Sequence, residues 1–356
     1  MTFARNAWYC AGFASEITSE PMMRRIVGIP ILLIRDDAGK VRAVNSRCPH
    51  RFAPLDQGRR VGDTIECPYH GLRFGFDGAC VHNPHGSGRI PGAAKVDTYL
   101  VVERGYFVWL WPGDPEFADA DDIPDLQLVD YGDKTPIHGH LKMPVHYQLV
   151  LDNLLDLSHA GYLHAGTLSP ARTGNDAKVE RQAETEVGED RIMVRAAIRD
   201  TPTPSSQAMY WDGETGDFHS HMEWIFPGTM RHALSMTEPG AGFGNGAQTR
   251  LVHLITPESE TGTHYFWMHT RDARADDAEV DRKTRELIEY SFMQEDEPMI
   301  RQVQEMMNGE DFFSLKPLYL ETDEAGTRCR RIIERRIREE TELVAIGANR
   351  GELARA

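Results

Sequence analysis

The sequence predicts an α+β protein in two parts: an all-β module over residues 1–115, then a part over residues 116–356 built as an antiparallel sheet with surrounding helices. Three observations predict it. Ile26 to Asn45 reads as a β-hairpin, and a β-rich run from Tyr106 to Trp111 ends in Pro112-Gly113-Asp114-Pro115. Beyond that punctuation, strand-like segments recur from Glu184 to Thr270. Helical periodicity then takes over.

In the hairpin, Ile26-Val27 and Ile29 to Ile34 form one arm, Asp36-Asp37-Ala38-Gly39 the turn, and Val41 to Val44 the return. Pro112 to Pro115 and the acidic stretch around Asp119 to Asp125 mark the boundary between the parts. Ile137 to Leu149 fits a strand and Val150 to His164 a helix. Further strands are expected at Glu184–Arg199, His221–Phe226, Arg231–Met236, Thr249–Thr256 and His264–Thr270. From Val280 to Met307, apolar residues including Met299 and Val303 fall on a roughly common helix face. A last charged helix runs from Asp323 to about Val344. The glycine-rich stretch Gly240 to Gly246 lies between strands rather than between a strand and a helix. It reads as a hairpin loop, and no dinucleotide site is assigned.

Thirty-nine Lys and Arg against 55 Asp and Glu give a net charge of −16, which repels a phosphate backbone and argues against a nucleic-acid partner. No apolar run is long enough to span a membrane. Met1 to Tyr9 has no charged stretch feeding an apolar one, so no secretory signal is expected. The chain has five cysteines, an odd count, with two in metal-type spacing. A cytoplasmic protein with reduced thiols is expected.

Cys48-Pro49-His50 and Cys67-Pro68-Tyr69-His70-Gly71 supply a C-x-H and a C-x-x-H pair. Thiolate and imidazole together suit zinc or an iron–sulfur centre, not calcium or magnesium. Structural zinc modules run Cys-Cys and then His-His. Here each loop offers one of each, so both thiolates can reach one iron and both imidazoles the other, nearer the surface. That is the ligand set of a Rieske [2Fe–2S] cluster. A zinc staple is the alternative. Proline after each cysteine stiffens its loop, and Gly71 permits a tight turn.

A second candidate centre lies between Leu151 and His164. Asp156 and His159 are spaced to share a helix face. His159 and His164, at ~100° per residue, stand about 140° out of alignment, so the helix must loosen between them, and Gly161 is placed to allow it. Two histidines and a distant carboxylate make the facial triad of non-haem Fe(II) oxygenases, with positions left open for O₂. Asp296, beside the helix-distorting Pro298, is the candidate carboxylate; Glu295 and Glu297 are its rivals.

With both motifs in view, the chain resembles the α-subunits of Rieske non-haem iron oxygenases, of the vanillate and dicamba O-demethylase type. Asn6-Ala7-Trp8-Tyr9, both cysteine–histidine loops, His82-Asn83-Pro84-His85-Gly86, Trp111-Pro112-Gly113-Asp114, Asp152-Asn153-Leu154 and Ile255-Thr256-Pro257-Glu258 carry the likeness. It implies a Rieske domain over 1–115 and a helix-grip catalytic domain with mononuclear iron over 116–356. It further implies a homotrimer fed by an NAD(P)H-dependent reductase, directly or through a ferredoxin, in which one subunit's cluster serves its neighbour's iron. On that reading Cys48, His50, Cys67 and His70 hold the cluster, and His159, His164 and Asp296 hold the iron. Asp156 bridges a neighbour's His70 to His159, and Asn153 stands near the iron. His253, His232 and Leu287 fall at positions that contact the substrate in the dicamba enzyme, where the last two are an asparagine and a tryptophan.

The expected activity is hydroxylation of a methyl group on an aromatic substrate, with O-demethylation of a methoxylated aromatic acid and formaldehyde release as the first reading. N-dealkylation, aromatic methyl or ring hydroxylation, and electron transfer without oxygenation are the rivals.

Overall fold

A computed structural model describes residues 2–129, 136–169 and 181–353. The chain forms two compact units. The first comprises Met1–Ile123, Thr256–Glu260 and Ile337–Ala356; the second comprises Pro124–Ile255 and Thr261–Arg336.

The first unit is a β-module. Its strands are β1 (Tyr9–Phe13), β2 (Met22–Ile26), β3 (Ile29–Arg35), β4 (Val41–Asn45), β5 (Arg59–Arg60), β6 (Thr64–Glu66), β7 (Arg73–Gly75), β8 (Cys80–His82), β9 (Thr98–Arg104) and β10 (Phe107–Trp111). They make a six-stranded sheet in the order β1-β10-β9-β4-β3-β2 and a four-stranded sheet β5-β6-β7-β8. The expected hairpin is β3 and β4, paired from Ile31↔Asn45 to Arg35↔Val41. The chain stays with this unit past Pro115 as far as Ile123. Trp8 Nε1 donates to the Asp119 carbonyl at 2.6 Å, and Arg104 Nη1 to the Ile123 carbonyl at 2.9 Å. Residues 256–260 belong here because the Val27 and Gly28 N–H groups donate to the Pro257 and Glu258 carbonyls at 2.8 and 3.1 Å.

The second unit is the predicted α+β assembly. Its strands are β11 (Ile137–Met143), β12 (Arg181–Val187), β13 (Arg191–Pro202), β14 (Thr215–Ile225), β15 (Thr229–Thr237), β16 (Ala247–Ser259) and β17 (Gly262–Arg271). They form one antiparallel sheet in the order β11-β17-β16-β15-β14-β13-β12, a meander closed at one edge by its first strand. Every residue of β17 is buried. Gly139 lets β11 approach it, because a Cβ there would stand 2.7 Å from the Trp267 ring. The single strand expected over 184–199 is a hairpin of β12 and β13, since the chain reverses at Gly188, whose N–H donates to the Arg191 carbonyl at 2.8 Å. The glycine-rich stretch at 240–246 does join two strands, β15 and β16.

The helices are α1 (Tyr147–Leu155), α2 (Ala160–Leu163), α3 (Ala278–Tyr290), α4 (Glu297–Met307) and α5 (Glu324–Leu353). The helix expected over 150–164 with a loosening between His159 and His164 does end before His164, at Leu163, and is also interrupted earlier. Asp156 ends α1, and its carboxylate caps a 3₁₀ turn, Leu157–His159, by accepting the Ser158 N–H at 2.9 Å. A π-turn over Ser291–Asp296 separates α3 from α4 and shifts the phase of the apolar face. Val280, Ile288, Phe292 and Ile300 are therefore buried, while Met299 and Val303, expected on the same face, are exposed. Among the described residues no helix is long and apolar enough to cross a membrane.

Two histidines, the half-buried His146 and the buried His269, tie this unit's stability to pH. His146 caps α1 by accepting the Gln148 N–H on Nδ1, and burial, aided by Arg330, lowers its pKa to about 4. Burial, then Arg271, lowers that of His269 in β17 to about 3. Both rings are uncharged at neutral pH. Below the unfolded-state value near 6.5 the unfolded chain binds more protons, so stability falls with pH from about 6.5 down to those folded-state values. Each ring contributes a loss of about 1.4 kcal/mol per pH unit in that window. The urea midpoint is expected to be clearly lower at pH 5 than at pH 7; a level midpoint would count against this coupling.

Candidate metal centres

In the first unit the two cysteine–histidine loops are built alike. The Cys48 N–H donates to the Ala53 carbonyl and the Phe52 N–H returns to the Cys48 carbonyl, both at 2.9 Å. The Cys67 N–H donates to the Leu72 carbonyl at 2.8 Å, and the Gly71 N–H returns to the Cys67 carbonyl at 3.0 Å. Each loop turns on a left-handed residue, Phe52 at φ 59° and Gly71 at φ 70°. Glycine takes that conformation freely, whereas phenylalanine pays a steric penalty.

The loops place sulfur inside and imidazole at the rim. Cys48 and Cys67 are buried in an apolar cluster with Leu32, Ile34, Leu55 and Phe74. His50 is exposed and His70 half-buried, with ring centroids 4.5 Å apart. Burial pushes the Cys48 thiol up to about 11, and it hydrogen-bonds Cys67, so metal entry must displace a proton held in this pair. His85 donates from Nε2 to the His70 carbonyl at 2.8 Å, giving the 82–86 loop a contact with the second ligand loop. Two buried soft sulfurs and two rim imidazoles fit a [2Fe–2S] Rieske cluster.

In the second unit His159, His164 and Asp296 converge, with one ligand atom from each lying within 4.8 Å of the others. Asp296 Oδ1 stands 3.5 Å from His159 Nε2 and 3.1 Å from His164 Nε2. Neighbouring ligands about 2.1 Å from a shared metal stand roughly 3 Å apart, so the group fits a two-histidine, one-carboxylate site. Asp296 and His164 are each 2 % exposed at the side chain and His159 22 %, so the buried carboxylate has histidine partners on both sides. Asn153 donates from Nδ2 to Asp296 Oδ1 at 2.8 Å. Its helix is anchored by Asp152, which accepts two nitrogens of Arg330 on α5.

The three neighbouring acids separate cleanly. Glu295 accepts from His164 Nδ1 at 2.8 Å, and Glu297 pairs with Arg301 at 3.0 Å, so neither carboxylate joins Asp296 at the converging nitrogens. Asp156 meets His159 through its backbone carbonyl, which accepts from Nδ1, while its carboxylate caps Ser158.

The candidate substrate wall is one face of the sheet. Met222 pairs with His232, and Trp224 with Met230, which in turn pairs with His253; the His232 and His253 rings stand 6.1 Å apart. His253 is fully buried, and burial, then His232, holds its pKa well below the ordinary value. The Tyr265 hydroxyl, whose own pKa burial and Asp296 raise, hydrogen-bonds His253 Nδ1 at 2.5 Å. His253 is thus a neutral ring whose buried Nε2 has no hydrogen-bond partner among the described residues. Phe292 packs edge-on to both His253 and Tyr265, with centroids 6.0 and 4.9 Å apart. Leu287 lies half-buried on α3 beside the buried Ile288. Tyr265 and Phe292 were not legible as site residues; no motif marks them, and the order of β16 and β17 places Tyr265.

A cluster-binding β-module and a sheet-and-helix unit carrying a two-histidine, one-carboxylate group define a Rieske-type terminal oxygenase. Residues 7–99 match the Rieske [2Fe–2S] domain family, and residues 143–339 match the vanillate O-demethylase oxygenase C-terminal domain family. The chain is 38% identical to the oxygenase component of chloroacetanilide N-alkylformylase from Rhizorhabdus wittichii, over 97% of this chain and 99% of that one. It is 35% identical to the dicamba O-demethylase oxygenase component of Stenotrophomonas maltophilia, over 94% and 98%. The crystal structure of dicamba monooxygenase bound to dicamba superposes with a TM-score of 0.84 at 32% identity, covering 96% of this chain and 100% of that one. The chain belongs to the Rieske non-haem iron oxygenases of the vanillate and dicamba O-demethylase type. Its cofactors are a Rieske [2Fe–2S] cluster and a mononuclear non-haem iron.

Proposed function

We propose that this oxygenase dealkylates a small aromatic substrate, by O-demethylation of a methoxylated aromatic acid. The observation that carries the reading is His253, a buried, uncharged ring whose Nε2 has no hydrogen-bond partner among the described residues. Tyr265 hydrogen-bonds its Nδ1, and the charge of Asp296 adds to burial in raising the Tyr265 pKa, which supports a link between this ring and the metal ligands. With its proton on Nε2, the ring would orient a substrate oxygen that accepts it, and Phe292, packed edge-on to His253, would lie beside the substrate's aromatic ring.

When bound, the cluster supplies single electrons and the iron a place where O₂ is activated. Two electrons, two protons and O₂ convert the O-methyl carbon to its hydroxymethyl form and release water. The hemiacetal then falls apart to formaldehyde and the phenol. The assigned roles are cluster ligation by Cys48, His50, Cys67 and His70, and iron ligation by His159, His164 and Asp296. Asn153 would steady Asp296 through the 2.8 Å hydrogen bond. Electrons would come from NAD(P)H through a reductase, with or without a ferredoxin. A homotrimer would set Asp156 between His159 and His70 of the partner subunit. Met299, Val303 and Met306 leave an apolar face exposed on α4, a surface suited to such assembly.

A second reading, N-dealkylation of a neutral aromatic amide, is favoured by the same ring, which brings a hydrogen bond without a cation, and by the likeness to the chloroacetanilide enzyme. Oxygen uptake and formaldehyde release with a surrogate reductase separate the two. Methoxybenzoates yielding formaldehyde in step with oxygen support the first; turnover of N-alkyl anilides alone supports the second. Silence across both panels removes the dealkylase reading.

A further inference from the structure

His164 is held from both sides by consecutive carboxylates. Asp296 Oδ1 stands 3.1 Å from Nε2, and Glu295 Oε2 stands 2.8 Å from Nδ1. Adjacent residues of an α-helix project ~100° apart and do not ordinarily grip one side chain. Here they close the π-turn Ser291–Asp296, a widened geometry found disproportionately at functional sites. Thr167 completes the clamp: its hydroxyl lies 2.8 Å from Glu295 Oε2 and 3.0 Å from the His164 carbonyl. The Glu295 side chain is 15 % exposed, and its ion-pair partner among the described residues is His164 rather than a lysine or arginine.

We infer that Glu295 is a positioning residue for the mononuclear iron. It holds His164 as the Nδ1–H tautomer and turns the Nε2 lone pair toward the point where Asp296 and His159 converge. This rests on the reading of His164 as an iron ligand. A carboxylate on the far nitrogen of a ligating imidazole fixes its orientation and raises its basicity, and losing such a partner typically costs 10–100-fold in metal affinity. Glu295 therefore acts through His164 and touches neither substrate nor metal. Thr167 in turn fixes which way the Glu295 carboxylate faces.

The test strips mononuclear iron from the purified holoprotein with a chelator, follows the cluster by its visible spectrum, and titrates Fe(II) back. Glu295→Ala is expected to weaken Fe(II) binding about 10–100-fold. It should also alter the EPR signal of the nitric oxide adduct of that iron and leave the cluster spectrum intact. Glu295→Gln, which keeps an acceptor without the charge, should recover part of the loss, and Thr167→Val should show a smaller loss in the same direction. If Glu295→Ala loses the cluster spectrum and hence the fold, the glutamine variant decides by the same titration. His164→Ala is the reference. Wild-type iron binding in His164→Ala would overturn the ligand assignment and the inference with it. Loss of iron in His164→Ala, with wild-type affinity and nitrosyl signal in the Glu295 variant, would overturn the role of Glu295 alone.

Discussion

Replacing His159 by alanine is expected to lower turnover by at least about three orders of magnitude, because the iron no longer has a complete set of protein ligands. The change removes one side of a group whose other two members, His164 and Asp296, remain 3.1 Å apart. Two ligands hold a divalent ion far less firmly than three. The His159 side chain is 22 % exposed and is not among the buried core residues, so truncation should leave the fold intact. The cluster loops lie in the other compact unit and keep all four of their ligands. Iron content should fall from about three per chain to about two, with the visible spectrum of the cluster unchanged. Retention of the third iron in this variant would refute His159 as a ligand.

The parts of the site legible in the sequence are those whose chemistry is local. Cys48, His50, Cys67 and His70 announce a metal because thiols and imidazoles at such spacing have few other uses. The alternation of strands in the second unit was also readable, since each apolar run is bounded by turn residues. The misplaced features have physical reasons. The helix carrying His159 breaks at Asp156, because a carboxylate capping Ser158 outcompetes continuation of the helix, and Gly161 sits undisturbed inside α2. The choice among Glu295, Asp296 and Glu297 depends on the phase of a π-turn, and apolar periodicity assumes that no such turn exists. The same turn is why Met299 and Val303, which periodicity puts on one face with Ile288 and Ile300, are exposed. Tyr265 locks His253 across neighbouring strands, a relation fixed by sheet order and invisible along the chain.

Asp156→Asn should stop electron delivery while leaving both metals bound. The aspartate does two separable things. Its backbone carbonyl accepts from His159 Nδ1, and its carboxylate caps the 3₁₀ turn through the Ser158 N–H at 2.9 Å. Asparagine is as good a cap as aspartate, and the substitution leaves the carbonyl in place, so the ligand geometry at His159 should persist. What disappears is the negative charge and one anionic acceptor oxygen. If Asp156 bridges His159 to His70 of the partner subunit in a trimer, that oxygen lies on the route between the centres. Turnover should then fall at least about 100-fold with about three irons per chain retained and an unchanged cluster spectrum. Pre-reduced protein mixed with oxygen and substrate in a single turnover separates delivery from binding. The asparagine variant should reoxidise its cluster slowly, whereas the His159→Ala variant fails for want of iron. Wild-type reoxidation in Asp156→Asn would leave Asp156 as a helix-terminating cap and move the electron route elsewhere.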